Sequence, residues 1–208
     1  MKITLEKAGK KFFREWVFRD LSLELSSTDS LAILGPNGSG KSTLLQVISG
    51  SMMPTTGTIS YAVDEKKIEG ENIFRMVSFA SPYLELIEEF TLKEIIRFHF
   101  GIKQAVNNFS EDEIISLTGL EHSKKKIFKY FSSGMKQRVK LTLALLSDVE
   151  IILLDEPCSN LDKESMKWYH KLVLNYAMNK IIIVCSNNQP EEFEFCKRQV
   201  NMMDWKYQ

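Results

Sequence analysis

The chain has 208 residues, of which 44% are hydrophobic and 26% are charged. This length allows one sizeable core, and the composition is that of an ordinary globular protein. Lys plus Arg and Asp plus Glu both count 27, so the formal net charge is zero. The chain as a whole therefore lacks the basic field of a typical nucleic-acid-binding protein. Its apolar runs are strand-sized, so we expect a cytoplasmic protein that reaches a membrane only through a partner.

The three cysteines are Cys158, Cys185 and Cys196. Their number is odd and their spacing is unlike that of metal ligands, which favours reduced thiols in a cytosolic protein. Cys158 and Cys185 adjoin apolar runs, so we expect them to pack inside the core.

The first third of the chain predicts strands separated by one short helix. Alternating or continuous apolar residues indicate strands over 3–5, 21–25, 30–34, 58–63 and 76–80, and a helix over 43–48. The run at 30–34 stops at Gly35 and is typical of a buried strand that enters a glycine turn.

From about residue 84 to residue 130 the pattern becomes helical. Apolar and aromatic side chains recur there at spacings of three and four, and Ser110 with Glu113 forms a potential capping box. We therefore predict that residues 83–130 form a helical subdomain, attached to a core made of residues 1–82 and 131–208.

Helices and strands alternate again in the last third. We predict helices over 134–146, 163–178 and 190–195, and strands over 150–154, 181–185 and 200–205. Apolar strands with helices between them indicate an α/β fold, in which a mixed, mainly parallel sheet is flanked by helices on both faces.

A complete phosphate-loop motif lies between a predicted strand and a predicted helix. Its residues are Gly35, Pro36, Asn37, Gly38, Ser39, Gly40, Lys41 and Ser42, followed by Thr43. The glycines allow several backbone N–H groups to face one anion, and the helix adds its positive N-terminal end. Lys41 can reach the β- and γ-phosphates of a nucleotide, and the Ser42 hydroxyl can bind Mg²⁺. These residues predict a P-loop NTPase core that binds a nucleotide with magnesium.

Two acids follow the apolar strand 151–154. Asp155 and Glu156 stand at its carboxyl end, where ligands bind in an open α/β sheet. Asp155 can hold magnesium, directly or through water, and Glu156 can accept a proton from the attacking water. An ordinary charged turn is the alternative, and the phosphate loop argues against it.

Two further motifs lead to a family resemblance. The segment Phe131-Ser132-Ser133-Gly134-Met135 resembles Leu-Ser-Gly-Gly-Gln, the signature of ABC-type ATPases. The D-loop of that family resembles Ser159, Asn160, Leu161 and Asp162. The four motifs follow the family's order at about its spacings. The resemblance covers essentially the whole chain and implies one ABC-type ATPase domain over 1–208, with an antiparallel β region beside the core.

The resemblance also implies that two ATPase subunits share the nucleotide. Ser132, Ser133 and Gly134 would close on the γ-phosphate of ATP held by a second copy, which makes a homodimer or heterodimer in the ATP-bound state. The two serines alternatively cap the helix that begins there, and both roles are compatible.

Two positions depart from the family pattern in ways that affect the rate of ATP hydrolysis. Ser81-Pro82 stands where the family has its Q-loop glutamine, and Asn187 stands at the position of its switch histidine. The Asn187 amide can donate a hydrogen bond but cannot become a cation. Losing one positioned donor costs roughly a hundredfold in rate, so we expect slow hydrolysis.

An aromatic platform for adenine is also implied by the resemblance. Phe12 fits the family's spacing, and Phe13 and Trp16 are alternatives. Alternatively, any one of these rings covers the edge of the sheet, which explains its presence equally well.

The function that the resemblance implies is that of an ATP-binding subunit of an ABC transporter. It would bind and hydrolyse ATP with Mg²⁺ on the cytoplasmic face, and so drive a separate integral membrane permease, which would contact a groove beside residues 82–90. Alternatives are a soluble ABC-type ATPase acting on DNA or ribosomes, and a weakly catalytic regulatory subunit. The zero net charge argues against a nucleic-acid partner.

Overall fold

The computed structural model describes residues 1–206, apart from the side chain of Glu71, and contains two β-sheets. Residues 207 and 208, the end of the predicted domain, lie outside the described residues. The first sheet has four antiparallel strands in the order β2-β1-β4-β5. These strands are β1 (Lys2–Phe12), β2 (Glu15–Ser26), β4 (Thr56–Val63) and β5 (Lys66–Ile68). Ile3, Leu5, Leu21 and Leu25 are buried on one face, which is the alternation that the sequence predicts.

The second sheet has five strands in the order β6-β7-β8-β3-β9. They are β3 (Ser30–Leu34), β6 (Val77–Ala80), β7 (Ile151–Asp155), β8 (Ile181–Ser186) and β9 (Arg198–Asn201). All four pairings within it are parallel, whereas the three pairings within the first sheet are antiparallel. Strands β7 and β8 are buried throughout, as expected for the centre of a parallel sheet covered on both faces.

Helices cover both faces of the parallel sheet. They are α1 (Lys41–Ile48), α2 (Leu92–Ile102), α3 (Glu111–Thr118), α4 (Ser133–Leu146), α5 (Lys163–Tyr176) and α6 (Pro190–Phe193). One core contains α1, the first sheet and one face of the parallel sheet. The other core contains the opposite face with α2, α3, α4 and α5.

The segment from 84 to 130 contains the predicted helices. Capping boxes begin α2 at Thr91 with Glu94, and α3 at Ser110 with Glu113, as the sequence predicts for the second pair. Short 3₁₀ turns and irregular chain separate the helices, and both helices contact α4. The division into a core and a helical subdomain remains a prediction.

The prediction of a final strand over 200–205 is wrong in its bounds. The strand is Arg198–Asn201, and Met202–Trp205 is a 3₁₀ turn capped by the Asn201 side chain. Met202 is fully buried beside the phosphate loop, and this burial turns the chain away from the sheet. Strand β5 and the 3₁₀ helix Gly70–Arg75 are further elements that the sequence analysis did not predict.

Candidate functional site

The carboxyl ends of four parallel strands meet at one edge of the sheet. Strand β3 leads into the phosphate loop, β7 ends at Asp155, β8 leads to Asn187, and β6 leads to Ser81. Because loops that follow neighbouring parallel strands meet at the same edge, the topology brings the predicted catalytic segments together.

The phosphate loop is closed around the Lys41 side chain. Its ammonium group donates hydrogen bonds to the carbonyl oxygens of Gly35, at 2.7 Å, and Pro36, at 3.1 Å. Helix α1 begins at Lys41, and its N-cap, Gly40, makes no side-chain capping bond. The first N–H groups of this helix lack a side-chain cap, which is the arrangement of a helix N-terminus that accepts an anion.

Gly40 is required by a close approach of strand β2. Its φ is +103°, and a Cβ atom placed there would lie 2.4 Å from Cγ1 of Val17. Val17 therefore packs directly on the phosphate loop. The sequence near Val17 gives no sign of this contact, because it depends on how the antiparallel sheet packs against the loop.

Asp155 interacts with the Ser42 hydroxyl, while the role of both as magnesium ligands remains a prediction. Asp155 is only 3% exposed. Burial raises the pKa of its carboxyl group, while a hydrogen bond with the Ser42 hydroxyl and the charge of Lys41 act in the opposite direction. The Ser81 hydroxyl also acts to lower the pKa of Asp155, so Ser81 reaches the site although it lacks the length of glutamine. A carboxylate and a hydroxyl side by side are suitable ligands for Mg²⁺.

Glu156 is held in an unusual backbone conformation. Its φ is +44°, and its N–H donates to the carbonyl oxygen of Cys185 on β8 at 2.9 Å. Positive φ is uncommon for a residue with a side chain, and such positions cluster at functional sites. This backbone bond fixes the turn after β7 against the neighbouring strand, at the mouth of the phosphate loop.

Two cavities adjoin Glu156. The larger, of about 380 Å³, is lined by Val17, Asn37, Gly38, Gly40, Lys41, Ser42, Thr43, Tyr83 and Glu156. The smaller, of about 210 Å³, is lined by Asn37, Glu156, Ser159, Asn187, Gln189 and Glu192. The structure thus brings Asn187 and Glu156 together, while the catalytic roles of both remain predictions.

The signature segment and the D-loop contact each other within one chain. Ser132 caps α4, because its hydroxyl accepts the N–H of Met135 at 3.3 Å. A Cβ atom on Gly134 would lie 2.8 Å from the carbonyl oxygen of Asn160, so the helix and the D-loop touch where glycine stands. Asp162 caps α5 by accepting the N–H of Ser165 at 2.8 Å.

The signature residues are absent from the two cavities. In the described part of the chain, the residues that line either cavity do not include Ser132, Ser133 or Gly134. Within this one chain, Ser132 therefore acts as a helix cap. That the signature residues bind the γ-phosphate of ATP held by a second copy stays a prediction. Of the D-loop, only Ser159 lines the smaller cavity, and Leu161 is buried.

The predicted adenine platform is at the tip of the first hairpin. Phe12 is 46% exposed at the end of β1, and the Lys10 ammonium lies 5.4 Å from its ring centroid. Phe13 is fully exposed, and Trp16 is partly buried beneath Lys11 and Arg19. Val17 is the hairpin residue that lines the cavity, so the stacking role of Phe12 remains a prediction.

His99, Cys158 and Cys185 are packing residues. His99 contacts the Ser147 hydroxyl at 2.9 Å, and burial lowers its pKa to about 4. Cys158 and Cys185 are buried, as predicted. Within residues 1–206 there is no cluster of three His, Cys, Asp or Glu residues able to hold a metal, and no helix long and apolar enough to span a membrane.

Comparison with known proteins decides the family. The sequence profile of the ABC transporter family matches residues 18–159, a stretch that contains the phosphate loop, the signature, both acids and the start of the D-loop. The chain belongs to the ABC transporter family. The four motifs found in the sequence lie within this stretch or at its end, and the roles of their residues remain predictions.

Two curated ABC relatives are each 30% identical to the chain. One is the sulfate/thiosulfate import ATP-binding protein CysA 1 of Agrobacterium fabrum, aligned over 99% of this chain and 62% of the relative. The other is the taurine import ATP-binding protein TauB of Jannaschia sp., aligned over 88% and 69%. The chain spans about three-fifths of the length of the sulfate relatives that it matches.

The fold is that of known ABC ATPases. A dimeric ATP-binding cassette in a post-hydrolysis state with ADP and Pi aligns with a TM-score of 0.80, over 98% of this chain and 94% of the other, at 23% identity. This likeness confirms the predicted α/β fold with its P-loop core, antiparallel region and helices.

Proposed function

We propose that this chain is the ATP-hydrolysing subunit of an ABC transporter, which drives a separate membrane permease from its cytoplasmic face. The observation that carries the proposal is the meeting of Lys41, Ser42, Asp155 and Glu156 at one edge of the sheet. Import relatives in the same family support the transport role, although they are longer than this chain.

The residues of the loop fit a triphosphate. Ser39 Oγ is buried and has no hydrogen-bond partner among the described residues, and an unpaired buried hydroxyl costs about 1–3 kcal/mol. A phosphate oxygen in the loop would give it one. Lys41 would exchange its two carbonyl partners for phosphate oxygens, at little cost to the loop.

Magnesium would complete the site. Ser42 and Asp155 would hold it, and phosphate oxygens and water would supply its other ligands, because Mg²⁺ binds through one or two carboxylates and keeps several waters. Bound there, the ion would neutralise charge on the β- and γ-phosphates. Glu156, at the edge of the same cavity, would orient the attacking water and take its proton.

Dimerisation supplies the second half of each site in this proposal. The signature residues lie outside both cavities that adjoin Glu156, so they are available to a second copy. ATP would then join two subunits, each contributing its phosphate loop to one nucleotide and its signature to the other.

A groove suited to a permease segment lies beside the helical region. It encloses about 660 Å³ and is lined by Pro82, Tyr83, Leu84, Glu85, Leu86, Glu88, Phe128, Lys136 and Lys140. The Lys140 ammonium donates to the carbonyl oxygens of Ser81 and Pro82, so the groove is tied to the loop that reaches Asp155. Movement of a bound segment would in this way be transmitted to the nucleotide site.

Co-purification from membranes tests the transport role. We expect the chain to capture an integral membrane protein and Leu84→Glu to lose it, because a charge in the groove opposes an apolar contact, while MgATP binding is kept. Leu174→Glu is the matched control, since Leu174 is also exposed but lies on α5. Capture of nucleic acid or ribosomes in place of a membrane protein would contradict the proposal.

Slow basal turnover is a second expectation. Asn187→Ala should lower kcat further, by roughly 10- to 100-fold, because one positioned donor beside Glu156 is lost. Steady-state hydrolysis by the isolated protein measures this, with Asn175→Ala on α5 as the control. A rate typical of vigorous ATPases that Asn187→Ala leaves unchanged would show that Asn187 is not the switch residue.

A further inference from the structure

A buried carboxyl group stands behind the catalytic turn. Glu192 belongs to the short helix α6 but is only 2% exposed, whereas its neighbours Glu191 and Glu194 face solvent. Its Oε1 atom accepts the backbone N–H of Cys158 at 3.1 Å. Its other oxygen, Oε2, is buried and has no hydrogen-bond partner within residues 1–206. An acid in such a place needs an explanation, because burying an unpaired charge is costly.

The position of this carboxyl group links the two catalytic turns. Cys158 lies two residues after Glu156, and Ser186, which acts on the pKa of the Glu192 carboxyl group, directly precedes Asn187. Glu192 also lines the smaller cavity, of about 210 Å³, together with the two catalytic candidates Glu156 and Asn187. One side chain therefore bonds the turn after β7 and shares a cavity with the residue that follows β8.

Helix α6 is itself held in place from α5. The Tyr169 hydroxyl donates to the backbone carbonyl oxygen of Glu192 at 3.0 Å, and Tyr169 is fully buried. Because this bond uses the backbone, it leaves the Glu192 carboxyl group directed to the two turns. A rigid support of this kind is what keeps catalytic groups in their productive geometry.

We propose that Glu192 is a positioning residue for ATP hydrolysis and that it acts as the neutral carboxylic acid. The inference rests on the proposed function of the site. In the neutral form, Oε2 carries no uncompensated charge, and Glu156 remains the negative group nearest the attacking water. In the ionised form a third carboxylate would stand beside Asp155 and Glu156, where the triphosphate brings more negative charge.

The surroundings of Glu192 favour its neutral form. Burial first, and then the charges of Glu156 and Asp155, raise its pKa to about 7, against the hydrogen bonds from Ser186 and Cys158. From the other elements packed against it, Tyr169 of α5 and Cys185 of β8 stay neutral, because burial raises the pKa of each well above its usual value.

The rate of ATP hydrolysis should fall as the pH rises, because the neutral form of Glu192 is then lost. A group with a pKa of about 7 or higher is neutral below that pH and ionises as the pH rises through it. The productive form is therefore lost at alkaline pH, and wild-type kcat should fall by about tenfold for each pH unit above the midpoint.

The test is the pH profile of MgATP hydrolysis between pH 6 and 9. Glu192→Gln places a neutral group of the same size at the site, so we expect it to keep the pH 6 rate within about twofold and to lose the alkaline fall. Glu192→Ala should lower kcat about tenfold or more at pH 6, with a smaller change in KM, and should also lose the alkaline fall. Glu191→Gln, which removes the adjacent exposed charge on the same helix, should follow the wild type.

Two results would overturn the inference. One is a Glu192→Gln profile with the same alkaline fall as the wild type, and the other is a Glu192→Gln rate at pH 6 as low as that of Glu192→Ala. Should Glu192→Ala fail to fold, the first comparison still decides. Absence of any wild-type turnover would overturn the proposed function together with this role, whereas normal turnover with an unaltered Glu192→Gln profile overturns this role alone.

Discussion

Replacing Glu156 by glutamine should lower ATP turnover by at least about a hundredfold while leaving MgATP binding intact. The amide keeps the size of the side chain but cannot take a proton from water. The backbone of this turn should not move, because it is held by the bond from the Glu156 N–H to the Cys185 carbonyl oxygen. Unconsumed ATP should therefore accumulate between two subunits, and the variant should elute as a dimer.

Size-exclusion chromatography with saturating MgATP measures the dimer, and phosphate release measures turnover. Glu150→Gln is the matched control, since Glu150 is an exposed acid next to the other end of the same strand, and it should behave as the wild type in both assays. A Glu156→Gln protein that stayed monomeric with saturating MgATP would contradict the shared-nucleotide arrangement, whatever its rate of turnover.

The parts of the site carried by continuous motifs were predictable from the sequence. The phosphate loop needs glycine and lysine at fixed spacing, because the backbone must curl around an anion, and these residues are adjacent in the chain. The same holds for Asp155 and Glu156, which follow an uninterrupted apolar strand. Parallel strands then place both segments at one edge of the sheet, which brings Ser42 to Asp155.

The parts that depend on distant packing were not predictable in the same way. Val17 covers Gly40 because a strand of the antiparallel sheet crosses the phosphate loop, and nothing in its immediate sequence indicates this. Met202 is buried beside the same loop, which ends the last strand earlier than its apolar pattern predicts. A period-two pattern records which residues are apolar, but not which partner covers them.

The burial of Glu192, a charged residue, was likewise not predictable from the sequence. It stands in a polar stretch, Pro190–Phe193, that also contains Glu191, and the two acids look equivalent in the sequence. Only the fold distinguishes them, because the helix is docked through Tyr169 with one acid inside and the other in solvent. A signal available from the sequence was its nearness to Asn187, five residues earlier.

Removing the Lys41 side chain should lower the affinity for MgATP by about a hundredfold or more, because a charged hydrogen bond to phosphate is worth roughly 1.5–3 kcal/mol and Lys41 can make several. The loop itself should survive. Its two carbonyl groups would lose the partner that holds them at 2.7 and 3.1 Å, but the Ser39 N–H still bonds the Pro36 carbonyl oxygen. Lys171→Ala, an exposed lysine on α5, is the control.

The measurement that tests the account most directly is a calorimetric titration of the wild type, Lys41→Ala and Lys171→Ala with MgATP. We expect saturable binding by the wild type, the same affinity for Lys171→Ala, and binding too weak to fit for Lys41→Ala. A wild-type chain that takes up no nucleotide, or a Lys41→Ala chain that binds as tightly as the wild type, would contradict the nucleotide site on which the proposed function depends.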